Sequence, residues 1–133
     1  MTWKLKTAEL TEEQFNDRDR IMAKFMKGSY AEFLGGIEYF RGLDVDTLKE
    51  LVDKGYADPE DAQNSAPTIR EIMAAMDANP ELTAHGYWVS RDRGDARISI
   101  EGVEGTIDPG YVGIFRHADD FEYDGSYIYC WFD

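Results

Sequence analysis

At Asn79-Pro80 the hydrophobic pattern of this chain changes its period, and that change constrains the fold more than any other feature of the sequence. Before it, apolar residues recur at helical spacing behind capping signals; after it, they alternate between turn signals. Helices first and strands second predict an α+β fold: three to four N-terminal helices packed on one face of a C-terminal antiparallel β-meander of four to five strands. At 133 residues the chain is expected to form a single domain, residues 1–133, with its helical part over 9–79 and its sheet part over 82–132.

The helices announce themselves by their first turns. Thr11-Glu12-Glu13-Gln14 fits a capping box, in which the Thr11 hydroxyl accepts from the Gln14 amide and the Gln14 side chain reaches back. Leu10 and Phe15 supply the hydrophobic staple, and Phe15, Ile21, Met22, Phe25 and Met26 form an apolar stripe that Gly28 ends. Ser29-Tyr30-Ala31-Glu32 reads as a second box, opening a helix that carries Tyr30, Phe33, Leu34, Ile37 and Phe40 across Gly35-Gly36. A third helix is expected from Asp44, with Leu48, Leu51 and Val52 inward and Gly55 just past its end. Asp58-Pro59 begins a single turn in a polar loop ending at Pro67. Thr68-Ile69-Arg70-Glu71 then caps a helix whose inner face is Ile69, Ile72, Met73 and Met76.

Beyond Pro80, Leu82 to Val89 reads as a strand and Ser90 to Asp95 as a polar loop. Arg97 to Glu101 alternates, so one face of that strand is expected to be wet; Gly102 marks a bulge that shifts the inward phase to Val103 and Ile107. Asp108-Pro109-Gly110 is a turn, and Tyr111 to His117 is expected to be the next strand. Asp124-Gly125 signals a hairpin with positive φ at both positions, leading into a last strand from Tyr127 to Phe132.

Charge narrows the function. The formal net charge is −13, and residues 119–133 hold five acids and no base. Such a chain repels phosphate backbones and anionic lipid, so neither direct nucleic-acid binding nor membrane binding is expected. A protein partner with a basic surface is expected instead, beside the plain reading that the acids only solvate the surface. Whole-surface mimicry of DNA fails on density. Duplex DNA presents about one charge per 100 Å², whereas this net charge spread over about 7,000 Å² gives about one per 550 Å². A local acidic face remains: Asp44, Asp46, Glu50, Asp53, Asp58, Glu60 and Asp61, diluted by Lys49 and Lys54. No apolar run of membrane length occurs, and Met1 to Glu13 has no apolar stretch behind Lys4 and Lys6, so a soluble cytoplasmic protein is expected.

No catalytic set stands out. There is no glycine-rich phosphate loop, GxSxG elbow, HExxH or CxxC, and acid pairs such as Glu101/Glu104 are uninformative in a chain with 27 acids. One cysteine excludes an internal disulfide framework, and two histidines argue against a metal site; no cofactor is expected. Cys130 lies in the apolar run Tyr127 to Phe132, which predicts a core thiol and not a nucleophile paired with His85 or His117. Asp120, Glu122, Asp124 and Gly125 imitate the opening of a calcium loop, but its closing position is Trp131. Arg91, Arg93 and Arg97 form the one locally basic loop, read as a hairpin tip with internal ion pairs.

Two clusters remain as candidate sites. Alternation sets Tyr127, Tyr129 and Trp131 on one strand face and Ile128, Cys130 and Phe132 on the other; the first stripe is either an exposed binding surface or covered by cross-strand pairing. His85, Tyr87, Trp88, Arg97, Arg116 and His117 would line a pocket between helices and sheet if the chain bound a small molecule or were a small enzyme. The leading expectation is a non-enzymatic interaction protein of inhibitor, immunity, anti-defence or adaptor type, using the acidic face, the aromatic stripe or both. The other readings are the pocket and a subunit that forms a homodimer through its exposed aromatic face.

Overall fold

The computed structural model describes residues 9–26 and 36–133. Its elements run α1 (Glu12–Met22), β1 (Ile37–Leu43), α2 (Val45–Asp53), α3 (Ile69–Ala78), β2 (Thr83–Val89), β3 (Ile98–Thr106), β4 (Asp120–Tyr123) and β5 (Tyr127–Trp131). A single 3-10 turn extends α1 through Ala23–Phe25, and a 3-10 helix of seven residues fills Pro109–Phe115. The five strands form one antiparallel sheet in the order β1-β2-β3-β5-β4, and the fold is α+β with its helices mostly in the N-terminal half.

Three of the expected caps form where the sequence places them. Thr11 and Thr68 each make a reciprocal capping box, with Gln14 and Glu71 respectively, and Asp44 accepts from the Thr47 amide at the start of α2. The apolar stripes of the helices then meet one sheet face. Leu48, Leu51, Ile69, Ile72 and Met76 pack with Phe40, Leu43, Ala84, Trp88, Ile100, Val103, Ile128, Cys130 and Phe132 in one buried cluster. Burial of that many large side chains at about 1.5–3 kcal/mol each is the main term holding the two layers together. On the rim, Asp17 of α1 accepts from Lys54 Nζ at 2.9 Å and Tyr56 OH at 2.9 Å, tying α1 to the end of α2.

Three expectations need correction. The second N-terminal helix was expected to run through Ile37 to Phe40, where the chain is strand β1. Its first half, with Gly28 and the box at Ser29, lies outside the described residues. Gly36 has φ +86°, which no right-handed helix accommodates. A register shift between Phe40 and Leu43 then turns both inward, Phe40 opposite Gly86 and Leu43 opposite Ala84. Ile37 and Phe40 are spaced as in a helix, although alternation along the strand sends them to opposite faces. The sheet thus takes one edge strand from within the helical part.

Tyr111 to His117 is not a strand. Asp108 accepts from the Gly110 amide at 2.8 Å, Pro109 occupies the first helical position, and a 3-10 helix follows to Phe115. Val112 and Phe115, three apart, face the core, whereas Tyr111 and Ile114 are exposed. The fourth strand is instead Asp120–Tyr123, and it pairs outside β5, so the strand order departs from a simple meander.

The face of β3 opposite the helices is not wet at Ser99, which is only 1% exposed. Gln63, from the loop between α2 and α3, accepts from the Ser99 hydroxyl at 3.0 Å and from Tyr87 OH at 3.4 Å. The bulge at Gly102 forms as expected: the register of β2 against β3 shifts between His85 and Gly86. The hairpin at Asp124-Gly125 forms too, but only Gly125 has positive φ, +100°, the φ pattern of a type II′ turn. Asp124 serves as an acceptor there, its Oδ1 taking the amides of Ser126 at 3.0 Å and Tyr127 at 2.8 Å.

Candidate functional site

Strand alternation gives the sheet a second face, turned away from the helices. Tyr39 and Arg41 of β1, His85 and Tyr87 of β2, Glu104 of β3, Tyr127, Tyr129 and Trp131 of β5, and Asp120 and Glu122 of β4 share it by register. Its middle is a polar and aromatic network. Glu104 is 9% exposed and accepts from Arg41 Nε at 2.5 Å and Nη2 at 2.9 Å, with Tyr127 OH 3.5 Å from the same carboxylate. The Arg41 contact holds the Glu104 carboxyl below its ordinary range, against the opposing effect of burial.

Beside it the His85 and Tyr129 rings stack with centroids 5.3 Å apart. They belong to β2 and β5 and meet across β3, where His85 is opposite Gly102, which has no side chain, and Tyr129 is opposite Glu104 two residues on. A Cβ at Gly102 would overlap the Cys130 carbonyl oxygen and lie 2.7 Å from His85 Nε2. Burial is the largest cause raising the Tyr129 phenol, followed by the charges of Asp120 and Glu104. Trp131 Nε1 donates to Glu101 at 3.3 Å, and Tyr127 stays 46% exposed. The aromatic stripe is therefore half covered at Tyr129 and Trp131 and open at Tyr127.

Two hollows open beside this network. One, of about 650 Å³, is lined by Lys24, Phe25, Met26, Arg41, Gly42 and Glu104. The other, of about 280 Å³, is lined by Glu122, Tyr123, Asp124, Tyr127 and Tyr129.

The six pocket candidates do not converge. Trp88 points into the core, fully buried, with its ring 6.4 Å from Phe40. His85 and Tyr87 point the other way. Arg97 lies over the Tyr87 ring at 5.4 Å and donates to its hydroxyl at 2.8 Å. Arg116 donates to the Gly113 carbonyl at 3.0 Å within the 3-10 turn, and Arg116 and His117 are exposed. Only His85, Tyr87 and Arg97 share a surface.

Of the acidic candidates, Asp44, Asp46, Glu50 and Asp53 lie on α2 and its cap, on the helix side of the sheet, whereas Asp58, Glu60 and Asp61 lie in the following loop, whose Gln63 reaches Ser99 and Tyr87 on the other face. Several have local work. Asp44 caps α2, Asp58 accepts from the Glu60 amide at 2.9 Å, Glu50 pairs with Lys54 at 3.0 Å, and Glu60 pairs with Arg70. Asp61 is partly buried, and burial raises its pKa. Asp46 and Asp53 flank Lys49, whose pKa is raised first by its contact with Asp77 and then by these two charges.

In the basic loop, Arg93 and Arg97 both reach Asp95, while Arg91 donates to Asn16 at 2.7 Å and to Asp19 at 2.8 Å. Cys130 is fully buried, and burial pushes its thiol up to about 11. Sequence reasoning missed Arg41 and the joining of Glu104 to it, a contact spanning 63 positions. The available signal was the phase shift at Gly102, which turns Glu104 to the same face as His85.

Compared with known protein families, with curated proteins and with solved structures, the chain matches none. Among the described residues no helix is long and apolar enough to cross a membrane.

Proposed function

We propose that this chain is a non-enzymatic protein-interaction module that takes a basic protein surface on the sheet face turned away from the helices. The observation that carries the reading is the C-terminal hairpin. It presents Tyr127, Tyr129 and Trp131 among Asp120, Glu122 and Asp124, in a stretch from residue 119 to 133 that has no Lys or Arg. Tyr and Trp anchors within a charged rim are the usual composition of binding hot spots. The α2 side is the weaker candidate, because most of its carboxylates already cap turns or pair with bases. One standard interface covers about 800 Å² per partner, so a partner of that size engages one side of the sheet, not both.

The test is capture of the native partner from host lysate, followed by binding kinetics. Tyr127→Ala should weaken binding about tenfold or more, as for a hot-spot residue, while Asp46→Asn with Asp53→Asn should leave it within a factor of about two. Association should slow as salt rises. An association rate independent of salt, or loss of binding in the α2 variant alone, overturns the reading.

The hollow beside Arg41 supports a second reading, since its 650 Å³ falls within the size of small-molecule sites, about 300–1,000 Å³. A thermal-shift screen of carboxylate-bearing metabolites tests it; a hit that Arg41→Ala abolishes would favour a small-molecule binder. Homodimerisation through the same sheet face is the third reading. Light scattering that finds a monomer at high concentration ends it.

A further inference from the structure

Strand β4 ends the sheet: one side pairs with β5 from Asp120↔Trp131 to Tyr123↔Ile128, and among the described residues no strand lies on its other side. The turn fixes which backbone groups face outward. The Asp124 amide donates to the Tyr127 carbonyl at 3.2 Å. Ladder alternation then directs the N–H and C=O of Asp120 and Glu122 toward β5, and those of Phe121 and Tyr123 toward the open edge. Phe121 is 39% exposed beside them.

Proteins commonly protect such an edge with lysine. This one carries acids instead, Asp120, Glu122 and Asp124, at a repeat of two residues or about 6.8 Å. Side chains on one face of an added strand would repeat at the same spacing. At the turn end of the edge lies the 280 Å³ hollow between Glu122, Asp124 and the tyrosines. Tyr129 has one ring face against His85, and the hollow lies on its β4 side. Carboxylates beside tyrosine rings suit a guanidinium or ammonium group. A second copy of this edge would bring acids opposite acids, so the same charges disfavour edge-to-edge self-pairing.

We propose that the open edge of β4 receives an extended segment of the partner that carries Arg or Lys at alternate positions, with one cation seated in the hollow between Glu122, Tyr127 and Tyr129. The inference rests on the protein-binding reading above and specifies its mode, strand addition: backbone pairing gives affinity and alternate side chains give selectivity.

The probe is the peptide acetyl-Arg-Thr-Arg-Thr-Arg-amide, titrated into the full chain and followed by amide shifts and hydrogen exchange. Shifts should concentrate within residues 119–129, and the Phe121 and Tyr123 amides should exchange more slowly when the peptide is bound. Glu122→Gln, an exposed change that leaves the strand intact, should weaken binding about fivefold. The peptide with citrulline in place of arginine should not bind detectably. Equal binding of the citrulline peptide, unchanged exchange at Phe121 and Tyr123, or shifts centred on α2 would each overturn the proposal. Should the peptide leave the hairpin untouched while capture of the native partner still depends on Tyr127, edge pairing falls and the broader reading stands.

Discussion

Glu104 stays charged inside a nearly closed environment because Arg41 donates two hydrogen bonds to it. Its folded-state pKa is lowered relative to the unfolded chain. The stability it contributes is therefore fully present above the ordinary carboxyl range of about pH 4.3 and is lost as pH falls through the folded value. Glu104→Gln should be less stable than the parent at pH 7, with the gap narrowing below about pH 4. Urea midpoints measured from pH 7 to pH 3 check this, and a gap constant over that range would assign the lowered pKa no role in stability. Arg18 is the opposite case. It is fully buried on α1, bonded through Nε and Nη2 to Asp19 and lying 4.9 Å from the Phe15 ring centroid, and burial lowers its pKa. Helical spacing places Arg18 on the apolar stripe itself, three residues after Phe15 and four before Met22, and its charge alone kept it out of the expected core.

Among the elements, the junction of β2, β3 and β5 depends most sharply on one residue. Gly102 admits the Cys130 carbonyl on one side and the His85 ring on the other. Gly102→Ala should cost about 2 kcal/mol or more through overpacking, lowering the thermal midpoint and separating the His85 and Tyr129 rings. Calorimetry together with the ring-current shifts of His85 reads both effects. An unchanged midpoint would show that β5 can shift without penalty. The bulge at this glycine was legible because the apolar phase slips there, as were the capped helices, whose start signals act within four residues. Strand β1 was not, because Ile37 and Phe40 are spaced as in a helix, although alternation along the strand sends them to opposite faces, opposite Val89 and Gly86. The 3-10 turn after Asp108 was missed because Tyr111, Val112 and Ile114 have strand propensity, and the local cap with Pro109 outweighs it.

For the molecule as a whole, the charge arithmetic is unchanged by the folded surface, 7183 Å² against the expected value of about 7,000 Å². Alternation in the last strand had already separated Tyr127, Tyr129 and Trp131 from Ile128 and Cys130, so one half of the candidate site was legible. Its other half was not. Arg41 and His85 reach that face through pairings between strands distant in sequence, and no local pattern records which strands become neighbours. The sheet also draws β1 from a stretch that precedes two helices, so the boundary at Pro80 divides the sequence and not the structure. Severing the chain there should yield two fragments that each precipitate or stay unfolded alone, one holding a strand without its mate and the other a sheet with a raw flank. Co-expressed, they should reconstitute a soluble complex, as gel filtration of the mixture would report. The helical fragment folding by itself would contradict this. The same arrangement makes this protein a natural split reporter: two inert pieces that become one body only when something brings them together.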